Sequence, residues 1–227
     1  AKKRAIKTAT MQRLLTGNQR LPGFDGEWTT MRLSDTSTLN ARIGWHGLTT
    51  DEYLNTGDYY LVTGTDFENG KVDWSKCHYV DYERYRQDPN IQLSEDDVLI
   101  TKDGTIGKVG YVESMPGPAT LNSGIFVIRP RSGAYVPLFL YYILRSPIFS
   151  DFLDKLKAGS TVAHLYQKDF KHFSFETPRN QVEQRAIATI LSDMDAEIEA
   201  LQARRDKTQA IKQGMMQELL TGRTRLV

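Results

Sequence analysis

The run AIKTATMQRLLTGNQRL, Ala5–Leu21, returns as AIKQGMMQELLTGRTRL, Ala210–Leu226, identical at 11 of 17 positions with a constant offset of 205. The identities lie on both sides of the shared Thr-Gly pair, so two unrelated helix ends with similar stops do not account for them. The spacing predicts a unit as long as that offset, of which this chain holds one copy plus the tail of a preceding one. The parent arrangement is then body–helix–body–helix. A chain that opens on Ala1 and not on methionine is expected to be a processed or excised piece of something longer.

The second copy of the repeat closes a long helical stretch. From Gln181 to Thr221 there is no proline and only one glycine, Gly214. Pro178 stands just outside the start, Asn180 and Glu183 have capping-box spacing, and Thr221-Gly222 supplies a stop. At about 1.5 Å per residue this stretch makes a rod of roughly 60 Å. Written as heptads, one seam reads Ile187, Met194, Leu201, Thr208, Met215, and the other Leu191, Ile198, Arg205, Lys212, Leu219. Seven of these ten are apolar, and the polar failures cluster at 205–212. Such a seam predicts a coiled coil whose polar break sets register and partner. The alternative is an amphipathic helix lying on its own domain. Residues 2–16 read as the end of an equivalent helix, stopped at Thr16-Gly17.

With 227 residues, 40% apolar and 25% charged, the chain is globular in composition, neither fibrous nor disordered. One cysteine, Cys77, excludes an internal disulfide framework, and four scattered histidines give no metal-ligand spacing. No apolar run reaches the roughly 18 residues of a membrane helix, and no signal peptide opens the chain, so a cytoplasmic protein without membrane contact is the expectation. The net charge of +1 hides a division: +5 over residues 1–25, −4 over residues 26–180, and balance over residues 181–227. A body of that charge does not announce nucleic acid by composition. Any such role must rest on local clusters.

Leu21-Pro22-Gly23 and Asp25-Gly26 mark a boundary, after which the period shifts towards two. Tyr59–Val62, Val98–Thr101, Val109–Val112, Ile125–Arg129 and Phe173–Phe175 read as strands, and Pro137–Arg145 and Pro147–Leu156 as helices opened by proline. The expected class is α+β: twisted strands with short helices, followed by the long helix. The division is 1–22 as helix end and linker, 23–177 as the body, and 178–227 as the long helix.

The search for chemistry finds no active site. The glycine-rich stretch Lys102–Gly110 lacks P-loop spacing and precedes a strand-like segment, so it reads as a tight hairpin with Lys102 and Lys108 near its tip. Asp169-x-Lys171 is a fragment of a metal-nuclease pattern without its companion carboxylates. A small metal-dependent nuclease and a coiled-coil scaffold are the alternatives to a binding protein. The remaining candidates are polar and aromatic groups in loops. Arg42, Trp45 and His46 share a glycine-flanked loop, where Trp45 also suits a core plug. Arg84 and Arg86 interleave with Tyr79, Tyr82 and Tyr85, a pattern that suits phosphate contact and stacking, or a solvated face. Ser160, Thr161, His164, Tyr166 and Lys168 offer donors that can read base edges in the major groove, though the two hydroxyls equally suit a helix-terminating turn.

Taken in order, several of these motifs resemble one family. They are Gly26-Glu-Trp28 with Leu33 and Asp35, Thr63-Gly-Thr-Asp66 followed by Asn69-Gly70, Asp97-Val-Leu-Ile-Thr-Lys102, and Asn122-Ser-Gly124. Gly159-Ser-Thr161, Phe173–Pro178 leading into Glu183-Gln184-x-x-Ile187, and Met216-Gln-Glu-Leu-Leu-Thr-Gly222 complete the set. Together with the circular repeat they make the chain similar to a specificity subunit of a type I restriction-modification enzyme. The resemblance implies a non-catalytic reader of one half of a bipartite duplex DNA site. Residues 23–177 would be the target-recognition domain, and the helix with Ile187, Leu191, Met194, Ile198, Leu201, Met215 and Leu219 the spacer that pairs with another. It implies methyltransferase and restriction (translocase) subunits as partners, with S-adenosylmethionine, ATP and magnesium on those chains and none on this one. Two copies joined through their helices would restore two readers. One recognition domain of a complete member is missing.

Overall fold

In the computed structural model, which describes residues 2–44, 47–158 and 164–221, strand β7 (Val98–Thr101) is buried along its whole length, as is the Ile125–Ile128 part of β10 (Ile125–Pro130). Val98, Ile100, Phe126 and Ile128 face one apolar cluster, while Leu99, Ile125 and Val127 face a second. Strands covered on both faces read as unbroken apolar runs and not as alternation, which is the pattern of VLIT and IFVI.

These two strands are central in a six-stranded sheet. Its order is β2 (Ser37–Asn40), β10, β7, β8 (Val109–Tyr111), β5 (Lys71–Val72), β4 (Phe67–Glu68). A three-stranded sheet is ordered β6 (His78–Val80), β3 (Tyr59–Val62), β9 (Ala119–Leu121), with β3 and β9 parallel. An antiparallel pair, β1 (Trp28–Arg32) with β11 (Ser174–Pro178), sets Trp28 opposite Pro178. Short helices α2 (Leu33–Thr36), α3 (Tyr82–Arg86) and α6 (Gln167–Phe170) lie between strands. Helix α4 (Pro137–Leu144) buries every residue from Phe139 to Leu144, and α5 (Pro147–Ala158) follows it.

The α+β class is as expected. The expected strands 59–62 and 98–101 match residue for residue, 109–112 and 125–129 each shift one end by one residue, and 173–175 moves to Ser174–Pro178. The helix expected to reach Arg145 ends at Leu144, and the one expected to end at Leu156 runs to Ala158.

Helix α7 (Gln181–Leu220) is 40 residues long, about 60 Å by helical rise. Asn180 caps it, its Oδ1 accepting from the Val182 amide at 2.9 Å. The capping box is not formed: Glu183 turns away to accept two hydrogen bonds from Arg20, each 2.7 Å. Helix α1 (Lys2–Leu15) ends as α7 does. Thr16 Oγ1 donates to Gln12 O, and Thr221 Oγ1 to Gln217 O, both at 2.7 Å. Gly17 at φ +71° supplies the left-handed residue after α1.

Helix α1 runs antiparallel along the first half of α7. Lys3 pairs with Glu197 at 2.6 Å, Lys7 with Asp195, and Arg20 with Glu183. Met11, Leu14 and Leu15 are buried with Ile187, Ala188, Leu191 and the α4 residues in one cluster. The expected pairing seam is therefore divided. Ile187 and Leu191 are core residues of this chain, Met194 and Ile198 are half-buried, and Leu201, Met215 and Leu219 are exposed. From Ala203 to Thr221 every residue is exposed.

Candidate functional site

Four segments converge at one end of the sheets. The first is the β7–β8 hairpin, formed as expected, with Gly104 at φ +66° and Gly107 at φ +84°. The Gly107 amide donates to Thr101 O at 2.9 Å, closing the turn, and the following segment is a strand and not a helix. The second is the turn after β3, where the buried Asp66 carboxylate accepts from the Thr63 amide at 2.7 Å. Lys108 Nζ reaches across and donates to Gly64 O at 3.1 Å. The third is the turn after β9, where Asn122 Oδ1 accepts from the Gly124 amide at 2.6 Å. The fourth is the segment 164–168, whose Leu165 amide donates to Lys102 O at 2.8 Å. Lys102 N in turn donates to Gly124 O at 2.9 Å, so the four are bonded into one surface.

Along that surface a chain of polar and aromatic side chains can be followed. His78 and Tyr53 have ring centroids 5.4 Å apart, and Tyr53 accepts from Asn122 Nδ2. Asp103 lies against the Gly124 turn and contacts His164 Nδ1, with Lys102 Nζ at 3.9 Å from its other oxygen. His164 then meets Tyr166 at 5.9 Å between rings, and Lys168 Nζ lies 5.6 Å from the Tyr166 ring centroid. His164, Tyr166 and Lys168 are exposed, and Lys102 is half-buried. One carboxylate is thus surrounded by lysine and imidazole donors, a surface that offers hydrogen-bond donors outward.

The other candidates lie elsewhere. Arg42 is buried, 2% exposed. Its Nε donates to Leu121 O at 2.9 Å, Nη1 to Gln87 Oε1 at 3.1 Å, and Nη2 to Thr120 Oγ1 at 3.2 Å. Burial holds its guanidinium below arginine's ordinary pKa. The donors are spent inside the body, so Arg42 is a strut and does not reach a surface ligand. Arg84 donates from both Nε and Nη2 to Glu52 Oε1, and the Glu52 carboxyl is held below the usual range by the Thr49 amide and by Arg84 itself. Arg86 pairs with Glu83 at 2.7 Å. The α3 face is therefore neutralised, and in its aromatic part Tyr59 stacks on Tyr85 at 4.6 Å and meets Tyr82 at 5.6 Å with the rings tilted by 45°. Trp45, His46, Ser160 and Thr161 lie outside the described residues.

Asp97, quoted in a motif for its position, is 3% exposed and ion-paired with Arg129 at 2.6 Å. Asp169 lies in α6, and among the described residues no three His, Cys, Asp or Glu side chains gather where they could hold a metal ion. Tyr53, His78, Asp103 and Asn122 were not among the sequence candidates. Asn122-Ser-Gly124 stood out as a motif and Asp103 lies within the glycine-rich stretch Lys102–Gly110, whereas Tyr53 and His78 carry no local signal because the fold brings them in from distant segments.

Residues 25–210 match the family model of the type I restriction modification DNA specificity domain. The chain is 26% identical over 180 residues to a putative type I restriction enzyme MjaX specificity subunit of Methanocaldococcus jannaschii, covering 78% of this chain and 42% of that one. Its fold is similar to the type I restriction-modification system S subunit from M. genitalium, with a TM-score of 0.66 at 14% identity, covering 93% of this chain and 52% of that one. It is also similar to a chain from a structure addressing complex assembly and conformational transition of the type I R-M system. There the TM-score is 0.61 at 19% identity, covering 94% and 51%. The chain thus spans about half the length of each of these proteins.

Proposed function

We propose, from the premise that the chain belongs to the type I restriction-modification DNA specificity family, that it reads one half of a bipartite duplex DNA site without catalysing a reaction itself. Residues 23–177 form the reader, and α7 sets the distance to a second reader and presents a surface to methyltransferase subunits, with restriction subunits joining through the complex. The second reader is the other half of a longer subunit or a second copy of this chain.

The observation that carries this reading is the bonded convergence of Lys102, Asp103, Asn122, His164, Tyr166 and Lys168 at one end of the sheets. Its exposed imidazole and ammonium, His164 and Lys168, stand on a rim from which they can meet base edges, which present distinct donor and acceptor patterns in the major groove, while Asn122 and Lys102 hold the rim together. The cytoplasm, where the DNA lies, is the matching compartment. S-adenosylmethionine, ATP and magnesium belong on the partner subunits. The glycine-rich stretch Lys102–Gly110 closes a β-hairpin and does not open a helix, so it lacks the helix N-terminus that cradles phosphate in a P-loop.

Exchanging residues 23–177 for the corresponding body of a subunit with a different target, then mapping methylated sites in cells carrying the assembled enzyme, tests the reading. The expected result is a new half-site at unchanged spacing. A site left unaltered by the exchange overturns it in favour of a scaffold, and cleavage of DNA by the pure chain with magnesium overturns it in favour of a nuclease.

A further inference from the structure

A neutral imidazole carries one ring proton, on Nδ1 or on Nε2, and the nitrogen without it accepts hydrogen bonds. The bond made by one nitrogen therefore sets what the other presents. His164 turns Nδ1 to Oδ1 of Asp103, and an ionised carboxylate only accepts, so the proton stays on Nδ1. Nε2 lies across the ring from Asp103 and keeps its lone pair. Among the described residues none donates to it, and the side chain is 53% exposed. The pair is placed by backbone. The Leu165 amide donates to Lys102 O at 2.8 Å, which sets residues 103 and 164 side by side at one hydrogen bond. Lys102 N is held by Gly124 O at 2.9 Å, and Asp103 packs on Gly124, its Cβ and Oδ2 lying 3.8 and 3.9 Å from where a Cβ of residue 124 would stand. Tyr166 flanks the imidazole at 5.9 Å between rings.

We propose that Asp103 fixes His164 as a hydrogen-bond acceptor, and that the pair thereby selects a base carrying an exocyclic amino group, adenine or cytosine, on the strand it faces. This rests on the reading of residues 23–177 as a DNA reader and names what one of its side chains recognises. In the major groove adenine N6 and cytosine N4 are donors, where guanine O6 and thymine O4 are acceptors. An unprotonated Nε2 brought against a keto oxygen sets two lone pairs together and leaves both without a partner once water is gone. Against an amino group it completes a hydrogen bond. His164 is thus the exception on this rim, since Lys168 close by can only donate.

Asp103 touches no base and is a positioning residue, so its removal by an isosteric amide is informative. Lys102 Nζ stands 3.9 Å from Asp103 Oδ2. With Asp103→Asn, that cation holds the amide oxygen on its own side and turns the amide NH2 to His164 Nδ1. Nδ1 then accepts, the ring proton moves to Nε2, and the outward nitrogen becomes a donor. Replacing the aspartate of a Ser-His-Asp triad by asparagine imposes the wrong tautomer in the same way.

Two measurements test this, the first without DNA. In the full chain labelled with a nitrogen isotope at its four histidines, NMR distinguishes a protonated ring nitrogen from a bare one, and the His164 signals are those lost in His164→Ala. On the neutral ring the proton is expected on Nδ1, and in Asp103→Asn on Nε2. A proton on Nε2 in the unsubstituted chain overturns the proposal. The second maps methylated sites in cells carrying the assembled enzyme. His164→Ala is expected to loosen one position of this half-site. Asp103→Asn is expected to change that same position by a transition, adenine to guanine or cytosine to thymine, with a preference of about tenfold or more for the new base. A site unchanged by Asp103→Asn, or only loosened as in His164→Ala, overturns the proposal, as does a His164→Ala site with no loosened position. Should Asp103→Asn fail to fold, the signals of the unsubstituted chain and the His164→Ala site still decide. A ring protonated as stated in a chain whose body exchange leaves the methylated sites unaltered overturns the functional reading alone.

Discussion

Arg42 shows how a residue can carry the chemistry of a ligand contact and be spent elsewhere. In a glycine-flanked loop it reads as a phosphate or base contact, but three donors end on Leu121 O, Gln87 and Thr120 inside the body. Its replacement by alanine leaves buried acceptors unpaired and is expected to cost about 3 kcal/mol of stability in denaturant unfolding. His164→Ala and Lys168→Ala should leave stability within about 0.5 kcal/mol, since both residues are exposed. Each is expected to weaken binding to the cognate half-site by about 1–3 kcal/mol, measured by titration of labelled duplex in the assembled enzyme. His164 and Lys168 could be named from their residue types alone. Asp103 and Tyr53 could not, because their partners are 61 and 69 residues away in sequence.

At the scale of elements, what was legible followed burial. Strands β7 and β10 are apolar on both faces, α4 is apolar almost throughout, and these stood out with bounds near the observed ones. Strands such as β4 and β5 have two residues each and no period to detect, and β2, read as STLN, is mostly polar. Helix α7 was visible from its length, but which of its residues meet their own body was not. The heptad treats Leu191 and Leu219 alike, whereas the former is fully buried and the latter exposed. Leu191→Asp is therefore expected to destabilise the fold by about 4 kcal/mol or more, seen as loss of the cooperative thermal transition. Gly17 is a second element-level test. Its φ of +71° is one that L side chains rarely adopt, and the Trp28 ring lies only 3.3 Å from where a Cβ would sit. Gly17→Ala is expected to cost about 1–3 kcal/mol by the same measurement.

At the scale of the whole molecule, charge is divided between the parts of the chain. The body carries −4, and the excess of basic over acidic residues lies in α1 and the tail of α7. Alone, the chain is expected to hold random duplex no more tightly than about 10⁻⁶ M at physiological salt, as fluorescence anisotropy would show. The circular repeat made this organisation readable before any fold, since it marked α1 and the α7 tail as equivalent pieces. The convergence of four loops at one end was not readable, because it arises from pairings such as β3 with β9 and β5 with β8 that join distant segments.

The docking of α1 on α7 also has a consequence for synthesis. Met11, Leu14 and Leu15 leave the ribosome about 170 residues ahead of Ile187 and Leu191, their packing partners. At about 5–20 residues per second the delay is roughly 10–35 s. Throughout that interval the face of α1 that will meet α7 is finished but waits for its last partner, so this part of the core closes only when the long helix arrives.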